Sequence, residues 1–128
     1  MKKTSDFTLL FADDNDGVKE IYRKAFEKEG YRVLICDNAS QIVADLKAEK
    51  VDLLVTDLAM PDANTLELFP LLKKDYPRLP VIVVSGRYVG MQEEFLARGY
   101  NITAFIPKPT DVKTLKEKVK EILKIDSK

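Results

Sequence analysis

Apolar residues fall along this chain in two alternating patterns. Short continuous apolar runs give way to longer stretches in which apolar positions recur every three or four residues. "FTLLFA" (Phe7–Ala12), "YRVLIC" (Tyr31–Cys36), "VDLLVTD" (Val51–Asp57), "PVIVVSG" (Pro80–Gly86) and "TAFIPKP" (Thr103–Pro109) are of the first kind and predict buried strands. The second kind predicts helices. "DGVKEIYRKAFEKEG" places Val18, Ile21, Tyr22, Ala25 and Phe26 at helical spacing, and Gly30 stops it. "ASQIVADLKAEK" turns Ile42, Val43 and Leu46 inward. A third helix, 66–75, carries Leu68, Phe69, Leu71 and Leu72, with Pro70 expected to make its first turn irregular or to kink it. "YVGMQEEFLARG" ends at Gly99, and "DVKTLKEKVKEILK" aligns Val112, Leu115, Val119 and Ile122.

Five strands thus alternate with five helices. Strands apolar throughout belong to a parallel sheet covered on both faces. The expected fold is α/β, a flavodoxin-like doubly wound five-stranded parallel sheet of order 2-1-3-4-5 with five helices. Residues 1–128 are expected to form one domain with no output domain.

This topology gives the polar residues at the strand ends a common address. Strand one runs into Asp13 and Asp14, strand three ends at Asp57, strand four at Ser85, and strand five carries Lys108. In a parallel sheet these ends share one edge, where ligands bind. Three carboxylates there repel one another, and two at about 4 Å raise the energy by roughly 4 kcal/mol at an effective dielectric of 20. A divalent cation removes that repulsion. With oxygen ligands alone the choice is Mg²⁺, or Mn²⁺, over zinc. Asp16, Asp62 and Asp111, taken singly, read as caps or turn residues.

Composition narrows the chemistry. There is no histidine, which excludes histidine triads, histidine metal ligands and phosphohistidine on this chain. The single cysteine, Cys36, lies in an apolar run and reads as a small core residue. Lys plus Arg and Asp plus Glu both number 21, so no global basic field draws the chain to nucleic acid or acidic lipid. The lysines of the last helix are interleaved with Glu117 and Glu121, as on a solvated face. No signal peptide or membrane-length apolar run is present, and a cytoplasmic protein is expected. The triplets at Asn38 and Asn101 then read as chance rather than glycosylation sites. The five glycines fit neither common phosphate-binding loop.

Together, "DD" after strand one, "DLAMP" after strand three, the pair "SG" and the run "FIPKP" resemble the response regulator receiver domains of two-component signalling, of a stand-alone type, over essentially the whole chain. The resemblance implies a phosphoacceptor at Asp57, with Asp14, Asp57 and the Ala59 carbonyl as direct Mg²⁺ ligands and Asp13 holding the ion through water. It implies that Ser85 and Lys108 bind the phosphoryl group, that Ser85 and Phe105 form a conformational switch, and that Pro109 follows Lys108 through a cis bond. The partners implied are a histidine kinase or phosphotransfer protein, and a downstream protein on the face of the fourth helix, fifth strand and fifth helix. Such a chain catalyses only its own phosphorylation and dephosphorylation. It departs from the family in carrying Thr65 where a glycine usually precedes the third helix. Ala59 and Arg87 stand where the family tunes loss of the phosphoryl group. Met60 and Pro61 shape the loop behind Asp57, although Met60 also fits simple packing. Two alternatives are a degenerate receiver that binds partners without phosphorylation, and an Asp-nucleophile phosphohydrolase of the haloacid dehalogenase type, for which the chain is short.

Overall fold

The computed structural model describes residues 3–57, 65–85, 98–107 and 111–125. A 3₁₀ turn, Thr4–Asp6, precedes β1 (Thr8–Ala12), and α1 (Asp16–Lys28), β2 (Arg32–Cys36), α2 (Ala39–Ala48) and β3 (Leu53–Thr56) follow. Next come α3 (Thr65–Asp75), β4 (Val81–Ser85), β5 (Ile102–Pro107) and the C-terminal helix α4 (Val112–Leu123). The helix expected at 88–99 lies outside the described residues, apart from its last two positions.

The five strands form one parallel sheet in the order β2-β1-β3-β4-β5, as expected. Side chains alternate between the faces, and both faces are apolar. Leu10, Ala12, Leu54, Val81 and Val83 point to the side covered by Ile42 and Leu46 of α2 and Leu68, Phe69 and Leu72 of α3. Leu9, Phe11, Leu53, Val55, Ile82 and Val84 point to the side covered by Tyr22 and Phe26 of α1 and Leu115, Val119 and Leu123 of α4. Phe11 lies at the centre of the second layer, with its ring centroid 5.1 Å from that of Tyr22 and 5.0 Å from that of Phe26.

The local sequence explains the helix starts. Asn15, Asn38 and Asp111 cap α1, α2 and α4, each side chain accepting from the backbone amide three residues on. Asp111 is therefore a cap, as its position suggested. That hydrogen bond from the Thr114 amide also holds its carboxyl below the usual carboxylate range. Asp16 is not a cap, because Asn15 fills that role and Asp16 opens the helix. Cys36 is buried, and burial pushes its thiol up to about 12. Asn101 is committed to structure, its amide donating to the carbonyls of Tyr76 and Leu79.

One expectation is corrected, and two details are added. Ile21 does not face the core but is 56% exposed, and the buried stripe of α1 is Lys19, Tyr22 and Phe26. α3 begins at Thr65 and continues to Asp75 with the exposed Pro70 inside it, so the proline does not end the helix. The β4–β5 pairing also shifts by one residue. Val81 pairs with Ile102 but Ile82 pairs with Ala104, leaving Thr103 as an extra residue in β5.

Candidate functional site

The ends of β1, β3 and β4 put Asp13, Asp14, Asp57 and Ser85 on one edge of the sheet, as the parallel topology requires. Asp57 follows the last residue of β3, and its amide donates to the Ala12 carbonyl at 3.1 Å. Asp13 follows β1, and its amide donates to the Cys36 carbonyl at 3.2 Å. The chain then turns tightly. The Asn15 amide donates to Asp13 Oδ1 at 2.9 Å, and the Val18 amide donates to Asn15 Oδ1 at 3.0 Å. The acid pair therefore sits in a loop fastened on one side to the end of β2 and on the other to the start of α1.

Asp13 and Asp57 are buried and Asp14 is exposed. One carboxylate oxygen from each lies within 4.8 Å of the others. Two oxygens on opposite sides of a Mg²⁺ ion lie about 4.2 Å apart, at a metal–oxygen distance near 2.1 Å. A set of three hard oxygen donors at this separation, two of them withdrawn from water, fits such an ion bound partly through water. Behind it, the fully buried Thr56 donates its hydroxyl to the Asp57 carbonyl at 3.0 Å, which fixes the backbone at the turn out of β3.

Ser85 closes β4 as expected. Phe105 is half-buried in β5 and packs against the α2–α3 layer. Ala59, Met60, Pro61, Asp62, Arg87, Lys108 and Pro109 lie outside the described residues. Lys19 is a residue that the sequence reading passed over. Its ammonium pairs with Asp16 Oδ1 at 3.1 Å and with Asp37 at the end of β2. The signal was a lysine spaced three and seven residues before Tyr22 and Phe26, on the stripe that packs inward.

Comparison with known proteins agrees with this arrangement. The response regulator receiver domain family matches residues 9–120, and the chain belongs to that family. It is thus a receiver domain of two-component signal transduction. The DNA-binding transcriptional regulator NtrC of Rhizobium meliloti (strain 1021) is 36% identical over 108 residues, which are 84% of this chain and 22% of that protein. The chain thus spans under a quarter of that relative's length. Among solved structures, the CheY-like response regulator receiver domain protein from Methanospirillum hungatei JF-1 superposes with a TM-score of 0.83 at 29% identity. That alignment covers 92% of this chain and 94% of the other. The response regulator TrrA from Thermotoga maritima, solved in complex with Mg²⁺ and BeF, shares the fold at a TM-score of 0.78 and 22% identity, over 91% and 98% of the two chains. Among the described residues no helix is long and apolar enough to cross a membrane.

Proposed function

We propose that this domain accepts a phosphoryl group on Asp57 from a phosphohistidine of a histidine kinase or phosphotransfer protein, and passes the signal on through a partner protein. The observation that carries the proposal is the convergence of Asp13, Asp14 and Asp57 within 4.8 Å at the sheet edge. A Mg²⁺ or Mn²⁺ ion would be held by Asp14, Asp57 and the Ala59 carbonyl directly and by Asp13 through water. When bound, the ion supplies neutralisation of charge on the phosphoryl oxygens. The Mg²⁺–BeF complex of TrrA supports the same reading by analogy.

The residues of this chain do the rest by positioning. A carboxylate oxygen of Asp57 attacks phosphorus, the phosphorus–nitrogen bond of the donor breaks, and the imidazole leaves with the electron pair. Lys108 offsets charge on the transferred group, and the Ser85 hydroxyl donates to one of its oxygens. Water later attacks phosphorus and regenerates the carboxylate, so the domain turns over no other substrate. Movement of Ser85 toward the phosphoryl group frees space for Phe105 to turn inward, which biases the surface of β5 and its flanking helices toward a downstream protein. On this reading the domain works in the cytoplasm, through protein partners rather than nucleic acid or membrane.

Incubation with acetyl phosphate and Mg²⁺, followed by intact mass spectrometry, tests the reading. Wild type should gain one phosphoryl mass and Asp57→Asn none. Equal labelling of both would remove Asp57 from its role. No labelling of either, in a folded sample, would favour a degenerate receiver.

A further inference from the structure

Lys19 is only 5% exposed, on a helix stripe otherwise made of Tyr22 and Phe26. Lysine is almost never buried unless paired, because desolvating an ammonium is unfavourable. Its partners here are unusual in being open to water. The side chains of Asp37 and Asp16 are 61% and 97% exposed. The pair with Asp16 is local, three residues away on the same helix. The pair with Asp37 is not, since it joins α1 to the residue that follows β2.

That long-range pair lies beside a second fastening. The Asp13 amide donates to the carbonyl of Cys36, the residue next to Asp37. Between the two fastenings the backbone is hydrogen-bonded within itself. The Asn15 amide bonds Asp13 Oδ1, and the Lys19 amide bonds the Asn15 carbonyl at 3.1 Å. The segment 13–19 is thus clipped to the end of β2 at both its ends, and the acid pair Asp13–Asp14 is on this segment. From this geometry we infer that Lys19, through Asp37, is a positioning residue for the metal-binding acids. It holds the loop so that Asp14 stays beside Asp13 and Asp57 before any ion arrives. The inference rests on the metal reading of those acids.

Two roles for Lys19 predict opposite signs. If the ammonium acted only as a nearby positive charge, it would oppose Mg²⁺. Lys19→Met would then tighten binding, and Asp37→Asn, which removes a negative charge, would weaken it. If the ion pair positions the loop, breaking it from either side weakens binding. The second effect should dominate, because Lys19 is already neutralised by two carboxylates, while residues supporting metal ligands typically carry about 10–100-fold in metal affinity.

Calorimetric titration of the whole chain with MgCl₂ at fixed ionic strength tests this, with circular dichroism to verify folding. Lys19→Met and Asp37→Asn should each weaken Mg²⁺ binding about tenfold. The double variant should be no weaker than either single one, and Lys19→Arg should stay within about threefold of wild type. Asp37→Asn changes an exposed side chain and keeps the test valid if Lys19→Met fails to fold. Opposite shifts in the two single variants, or no shift in either while wild type binds, would overturn the positioning role alone. Absence of Mg²⁺ binding by wild type would overturn the metal reading and this inference with it.

Discussion

The backbone amide of Asp57 donates to the carbonyl of Ala12, and Ala12 is the residue that precedes Asp13. The separation of the two buried carboxylates is therefore set by the sheet itself, across one rung between β1 and β3. A loop could relax away from the repulsion between them, but a paired strand end cannot without losing its hydrogen bond. On the metal reading proposed above, a cation would offset the repulsion between carboxylates held in this way.

Mg²⁺ should accordingly stabilise the fold. An ion that binds only the native state adds RT ln(1 + [L]/Kd), about 1.4 kcal/mol at ten times Kd. Thermal melts with and without excess MgCl₂ should show a raised midpoint for wild type and a smaller rise for Asp14→Ala. An equal rise in both would place the stabilising ion elsewhere.

Tyr31→Phe should make the protein more stable, by about 1 kcal/mol at neutral pH. The Tyr31 hydroxyl is buried and has no hydrogen-bond partner among the described residues, and an unsatisfied buried group is unfavourable by roughly 1–3 kcal/mol. Urea unfolding measures the difference, and a less stable variant would show that the hydroxyl has a partner.

Alkali should weaken the fold. Burial pushes the Tyr31 phenol from its ordinary 10.0 to about 12, with Glu29 adding to the shift. Burial also pushes the Cys36 thiol from 9.0 to about 12, with Asp45 adding to it. Both values are raised in the fold, so folding favours the protonated forms. Their contribution is complete below the unfolded values and is lost as pH rises from about 9 through about 12. Urea midpoints at pH 8 and 11 should fall less in Tyr31→Phe and in Cys36→Ala than in wild type. A fall as steep in both variants would assign the pH dependence to other groups.

Gly30→Ala should destabilise by about 1–3 kcal/mol. Gly30 has φ +105, and a Cβ there would lie 2.5 Å from Thr4 Oγ1. Removing the oxygen with Thr4→Ala should recover only part of the loss, because the backbone strain remains. Full recovery in the double variant would assign the whole effect to the contact.

Adding beryllofluoride and Mg²⁺ should shift NMR signals at Phe105 as well as those at the acidic edge. Phe105 packs against the α2–α3 layer and is only half-buried, so a movement of its ring would change the surface of β5. Shifts confined to residues around Asp13 and Asp57 would argue against a conformational output through β5.

The sheet was legible in the sequence because each strand is apolar on both faces, and the acid edge followed from the parallel topology. Less legible was which way a helix faces. In α1, Val18, Ile21, Tyr22, Ala25 and Phe26 span too wide an arc for all to be buried. The packing chose the stripe through Tyr22 and Phe26, which exposed Ile21 and drew Lys19 in. Hydrophobicity gives no hint of that choice, because the partners that make a buried lysine tolerable, Asp16 and Asp37, are recognised only once α1 lies beside the end of β2. The helix around Pro70 was legible despite the proline, because Leu68, Phe69 and Leu72 on its flanks pack inward and keep α3 in place.

The extra residue in β5 has a consequence for what can vary there. Ile102 belongs to the α2–α3 layer, but Ala104 and Ile106 belong to the α1–α4 layer and Phe105 to the other. A plain strand would have put residues 102, 104 and 106 on the same side. Thr103 acts as a phase shift, reversing the parity of every side chain after it. Its own side chain is exposed and open to replacement by almost any residue. Its place outside the pairing is not, since drawing Thr103 into the ladder would exchange Phe105 and Ile106 between the two layers and turn the aromatic ring to the wrong side of the sheet, whereas deleting it would leave both on their present sides.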